Sequence, residues 1–124
     1  MKLETLISLA VEEAKKSECS VKVGCIIFDK KRILSAGFNE MRNHKKLHPR
    51  FQRWKGSVHA EVNTILSAKT DLTNCSLLVI RINKKNELRL SLPCLECMKY
   101  IEHVGIKRVF YSISNYPYIQ EIKL

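Results

Sequence analysis

The sequence lacks any long apolar run: nothing in its 124 residues approaches the ~20 consecutive apolar residues that span a bilayer. It also lacks internal repeats, low-complexity tracts and a linker, so it reads as one domain over residues 1–124. The first residues, MKLETLISLAVEEAKK, carry Glu4, Glu12 and Glu13 among spaced apolar positions, unlike a secretory signal. Five cysteines, an odd number, and no such signal argue against a disulfide framework. They favour buried or metal-bound thiols in a reducing compartment, so the expected localisation is cytoplasmic, with no membrane partner. Acidic residues are scarce, 12 against 22 Lys and Arg, for a net charge of +10. That balance suits an anionic partner such as a nucleotide, a nucleic acid or phosphate; a merely lysine-rich composition is the plain alternative.

The hydrophobic pattern alternates between helix and strand. Leu3, Leu6, Ile7, Ala10, Val11 and Ala14 recur at helical spacing, giving an amphipathic helix over residues 2–17. Val21–Phe28 is an apolar, β-branched run, Asp29–Arg32 a charged turn and Ile33–Phe38 a second strand, hence a hairpin. Residues 39–56 read as a long loop. Ser57 is placed to cap a helix bearing Val58, Val62, Ile65 and Leu66 on one face. Leu77–Ile82 is a third strand, and Leu88, Leu90 and Leu92 alternate in a short return. Pro93 opens a third helix that Gly105 stops, and Ile106–Tyr111 is a fourth strand. The last dozen residues, with Pro117, suit a short helix or an edge strand. Strands alternating with helices give a three-layer α/β domain.

Two short segments carry chemistry: His59-Ala60-Glu61 and Pro93-Cys94-Leu95-Glu96-Cys97. Cys94 and Cys97 lie one helical turn apart at a helix start, where the dipole favours thiolate. Two thiolates and the His59 imidazole make a three-ligand zinc site with a fourth position open to water, the pattern of a catalytic zinc. Such a zinc makes hydroxide available near pH ~7. Glu61, two residues past His59, is placed to meet that water as a general acid/base without being a ligand. A purely structural zinc clip would want a fourth Cys or His, and none stands at a suitable spacing.

These segments match the H-x-E…P-C-x-x-C pattern of zinc nucleobase deaminases. Further stretches resemble the deoxycytidylate deaminases of phage and viral type within the cytidine deaminase superfamily: Ser17–Gly24 with Arg32–Asn39, His59–Leu66 and Gly105–Tyr111. The resemblance implies a cytidine-deaminase-like α/β/α fold with a mixed sheet of about five strands. It implies Zn2+ held by His59, Cys94 and Cys97, and Glu61 as proton shuttle. It also implies Asn39 and the Ala60 N–H as substrate contacts, and a homo-oligomer. The implied reaction is hydrolytic removal of the amino group of a cytosine nucleotide, with deoxycytidine monophosphate (dCMP) the best guess. Two alternatives stay open: deamination of cytosine or adenine in single-stranded DNA or RNA, and a non-catalytic nucleic-acid-binding protein on the same fold.

The residues leave other roles open. Asn39 equally suits a plain turn ending a strand. Residues 41–56 hold Arg42, Lys45, Lys46, Arg50, Arg53 and Lys55 with Phe51 and Trp54 and no acid. That composition fits a single-strand platform, a grip for one phosphate, or a solvated loop. Cys25 reads as core, and Cys19 with His44 and His48 as a candidate second, structural zinc site, as the resemblance to phage enzymes implies.

Overall fold

The computed structural model describes residues 2–40 and 59–124. Three helices and six strands follow one another as α1 (Leu3–Lys15), β1 (Lys22–Phe28), β2 (Ile33–Phe38), α2 (Ala60–Ser67), β3 (Ser76–Ile82), β4 (Leu88–Arg89), α3 (Leu95–His103), β5 (Arg108–Ser112) and β6 (Ile119–Lys123). The sheet runs β2-β1-β3-β5-β6, with β4 paired to β3. It is mixed: β3 and β5 are parallel, joined through α3, and the other pairings are antiparallel. The expected sheet of about five strands is present, the sixth being the two-residue β4.

Strand alternation sorts the core into two layers. Ile26 of β1 and Leu78, Ile80 and Ile82 of β3 face α1, packing on Leu6, Ala10 and Ala14. Cys25, Ile27, Leu77 and Val79 face the other way, under α2 and α3, with Val62, Ile65, Cys97 and Ile101. The period of two in the strands thus meets the helical stripe on both faces. Cys25 lies wholly buried, as expected of a core thiol, and all five cysteines are unpaired.

Gly24 sets how closely α1 approaches. A Cβ there would stand 2.1 Å from the Ala10 carbonyl oxygen and 2.6 Å from the Ala14 amide nitrogen. Both obstacles are helix backbone, so no side chain can swing aside. Gly24→Ala is expected to cost about 1–3 kcal/mol, the range for overpacking, read as a lower urea midpoint. A variant as stable as the wild type would mean that α1 is not held this tightly.

The ends of the elements differ instructively from the sequence expectation. Pro93 does not begin α3; the helix starts at Leu95 with Cys94 as its N-cap, the Cys97 N–H donating to Cys94 Sγ at 3.5 Å. A sulfur acceptor here takes the place usually given to a Ser or Asp oxygen. His59, not Ser57, is the N-cap of α2; Ser57 lies outside the described residues. The ambiguous C-terminus is an edge strand, β6, antiparallel to β5, beyond the cis Tyr116-Pro117 bond. Among the described residues no helix is long and apolar enough to cross a membrane.

Candidate active site

The N-termini of α2 and α3 converge at the carboxyl end of β3. Open α/β sheets place their ligand crevices at such carboxyl ends. A cleft of about 370 Å³ lies there, lined by His59, Ala60, Glu61, Cys94, Asn39 and Arg81 with Val21, Val23, Leu90 and Leu92 among the apolar walls.

His59 and Cys94 hold matching positions, each the extended residue before its helix. Their side chains project forward from the helix starts instead of lying along a helical face. Nδ1 of His59 stands 3.1 Å from Cys97 Sγ and 3.7 Å from Cys94 Sγ, and the three donor atoms lie within 4.8 Å of one another. Tetrahedral zinc with Zn–S near ~2.3 Å and Zn–N near ~2.0 Å requires donors about 3.5–3.8 Å apart. The two N–S separations, 3.1 and 3.7 Å, bracket the ~3.5 Å that zinc needs, and the donor set of two sulfurs and one imidazole nitrogen suits zinc. Among the described residues it is the one group of three or more such donors, and the Glu61 carboxylate is not part of it.

Electrostatics divide the two thiols. The Cys97 thiol donating to Cys94 pulls Cys94 down to about 3, with help from His59 and against partial desolvation. Cys97, the donor of that bond and deeply buried, is pushed far above the thiol range. The bond to Cys94 also raises His59, with the charges of Glu61 and Cys94 acting the same way and burial opposing. Glu61 is only 5% exposed. Burial raises its carboxyl, while its own backbone N–H and the nearby His59 work against the rise.

The surrounding hydrogen bonds fix these groups. Ala60 is the first residue of α2, so its N–H has no acceptor within the helix and is presented at the cleft. Asn39 also lines the cleft, but its amide works on the backbone: Nδ2 donates to the Val21 carbonyl at 2.7 Å and Oδ1 accepts from the Val23 N–H at 3.0 Å. The strand-ending role and a place at the cleft are therefore combined in one residue, with one N–H and one lone pair of the amide left over. Asn63 Nδ2 donates to the Phe38 carbonyl at 2.7 Å and Ser35 Oγ donates to the Thr64 carbonyl at 2.7 Å, locking α2 to β2.

Arg42, Lys45, Lys46, Arg50, Phe51, Arg53, Trp54 and Lys55 lie outside the described residues, as do His44 and His48 of the candidate second zinc site. Cys19 lines the cleft, its thiol 3.7 Å from the Asn39 carbonyl. The sequence reading missed Arg81, Leu90, Ser91 and Leu92 as cleft residues. For Arg81 strand parity gives only the side, that of Leu77 and Val79 facing α2 and α3, and not its place at the cleft.

Comparison with known proteins decides the family. Residues 1–113 match the cytidine and deoxycytidylate deaminase zinc-binding region. The chain belongs to the cytidine and deoxycytidylate deaminase family, whose members are zinc-dependent. An uncharacterized deaminase in the luxG 3′ region of Aliivibrio fischeri is 32% identical over 95 residues, 73% of this chain. The chain spans little more than half, 58%, of that relative's length. Among solved structures, the apo dCMP deaminase of cyanophage S-TIM5 is similar in fold, with TM-score 0.65, 24% identity, and coverage of 91% of this chain and 86% of that one. A deaminase/reductase of Thermotoga maritima, diaminohydroxyphosphoribosylaminopyrimidine deaminase/5-amino-6-(5-phosphoribosylamino)uracil reductase, superposes with TM-score 0.56 at 26% identity over 92% of this chain and 30% of its own. The family accounts for the zinc-type donor set; the cytidine-deaminase-like fold is the one expected from the sequence.

Proposed function

We propose that the chain is a hydrolytic deaminase of cytosine mononucleotides, with dCMP as the preferred substrate. The observation that carries this reading is the buried Glu61 carboxyl beside a three-donor zinc-type cluster that leaves one position free. His59, Cys94 and Cys97 would hold the zinc. Zinc when bound supplies a Lewis acid that makes a water acidic near neutral pH.

The remaining work falls to the chain's own groups. Glu61 takes a proton from water, which adds to the ring carbon bearing the amino group. It returns that proton to the ring nitrogen and passes a second to the departing amine, so one water is consumed and one ammonia released. Burial raises the carboxyl in the direction a group needs if it is to give back the proton it accepts. The Ala60 N–H and Asn39 hold the pyrimidine. Leu90 and Leu92 give the cleft apolar walls. The preference for dCMP draws support from the cyanophage S-TIM5 dCMP deaminase, a fold neighbour solved with dCMP and dUMP. Leu92 and Leu95, both exposed near Cys94, offer apolar surface for the oligomer included in this reading.

Ammonia release is the test, with cytosine, cytidine, deoxycytidine, their phosphates and single-stranded oligonucleotides as substrates. The expected result is fastest turnover of dCMP and a weak salt dependence. Polynucleotide binding gives a slope of log K against log salt of about −0.7 per phosphate, or about −3 for four contacts from the basic segment 41–56. A steep slope with oligonucleotides turned over faster than any free nucleotide would replace the mononucleotide reading. No turnover of any of these would leave the non-catalytic alternative.

A further inference from the structure

The cleft carries one feature that neither the zinc cluster nor Glu61 uses. Among the described residues lining it, Arg81 is the one Lys or Arg. It is exposed and stands at the carboxyl end of β3. Strand parity puts it on the same side as Leu77 and Val79, the side covered by α2 and α3.

Its backbone is well tied. Arg81 pairs with Val23 on one side and Arg89 on the other, and its N–H donates to Ser112 Oγ at 3.1 Å. Ser112 Oγ in turn donates to the Arg89 carbonyl at 2.6 Å and bonds Ser91 Oγ at 2.8 Å.

The charges around it are not balanced. Like charges directly opposite each other on neighbouring strands destabilise a sheet, yet Arg81 faces Arg89. Arg89 has an outlet: its guanidinium lies 3.5 Å from Glu87 and donates to the Leu88 carbonyl at 2.9 Å. Among the described residues no carboxylate pairs with Arg81, and residues 41–58 contain no Asp or Glu to supply one. An exposed guanidinium with no carboxylate partner among the described residues, at a cleft with apolar walls, suits an anion. The planar fork of arginine suits phosphate oxygens two at a time.

We infer that Arg81 binds the 5′-phosphate of the substrate nucleotide and so sets the preference for a nucleotide over a nucleoside. This inference rests on the deaminase reading above and names the residue that selects its substrate.

The experiment compares kcat/KM for dCMP and for deoxycytidine in four zinc-loaded proteins: wild type, Arg81→Gln, Arg81→Lys and Arg89→Gln. The wild type is expected to favour dCMP. Arg81→Gln should lower that preference about 10–100-fold, as the loss of a charged hydrogen bond predicts. Arg81→Lys, which keeps the charge without the fork, should lose less, about three- to tenfold. Arg89→Gln, whose partner is Glu87, should keep the preference. Zinc content and melting temperature confirm that each variant is folded and loaded. An undiminished preference in Arg81→Gln, or an equal loss in Arg89→Gln, overturns the assignment. A wild type that deaminates deoxycytidine as well as dCMP overturns it too, while leaving the deaminase reading intact. A wild type inactive on both compounds refutes the substrate assignment first, and Arg81's role with it.

Discussion

Glu61→Gln is expected to keep one zinc per chain and a wild-type fold while losing turnover by ~10²–10⁴-fold. That loss corresponds to about 2.7–5.5 kcal/mol of transition-state stabilisation. The expectation rests on separating two roles that adjacent residues often share. His59 turns Nδ1 toward both sulfurs, whereas Glu61 stands outside the donor cluster. A glutamine is close in shape and fits the same buried place, so folding should not suffer. It cannot carry a proton between water, ring and amine, so the chemistry should. Metal analysis and single-turnover ammonia release on the same preparation give both readings at once. Loss of zinc in this variant would make Glu61 a ligand; near-normal turnover would take it out of the mechanism.

The sequence and the structure agree most closely where local chemistry and tertiary packing want the same thing. The hairpin β1–β2 is an example: Ile33–Phe38 was bounded correctly because Asp29 makes the turn, its carboxylate accepting from the Lys31 and Arg32 amides at 2.8 and 2.9 Å. The zinc-type donors were also legible, since Cys-x-x-Cys and His-x-Glu state their chemistry by spacing alone. What the spacing could not give is which residue of each segment lies inside its helix. Cys94 and His59 are both caps, and only the assembled cluster shows why an extended residue is needed there: it lets the donor atom point off the helix end. Arg81 was missed for a different reason. It reads as the polar interruption of an apolar strand, and nothing local says that β4 and Ser112 hold its backbone at the edge of a cleft.

Cys94→Ala is expected to abolish zinc binding and, with it, turnover, and to lower stability by an amount that the metal sets. The choice between the two cysteines decides what the experiment measures. Cys97 is fully buried among Cys25, Ala60 and Ile101, so its removal would mix packing loss with metal loss. Cys94 is exposed, and truncating it removes little packing. Two effects then remain. One is the cap bond from the Cys97 N–H, worth about 1 kcal/mol by analogy with oxygen caps. The other is the binding free energy of zinc to the folded state, about 2.7 kcal/mol when free zinc is 100 times its dissociation constant. Their sum is about 3.7 kcal/mol; near 4 °C per kcal/mol at this chain length, it lowers the melting temperature by about 15 °C. Chelator separates them. Stripping zinc from the wild type should remove the metal contribution alone, bringing it to within about 4 °C of Cys94→Ala. The variant itself should not respond to chelator or to added zinc. A Cys94→Ala protein that melts with the wild type, retains one zinc and deaminates at the normal rate would show that the ion is held elsewhere. A variant that loses zinc yet melts like the holoprotein would show that the metal serves chemistry without bracing the start of α3.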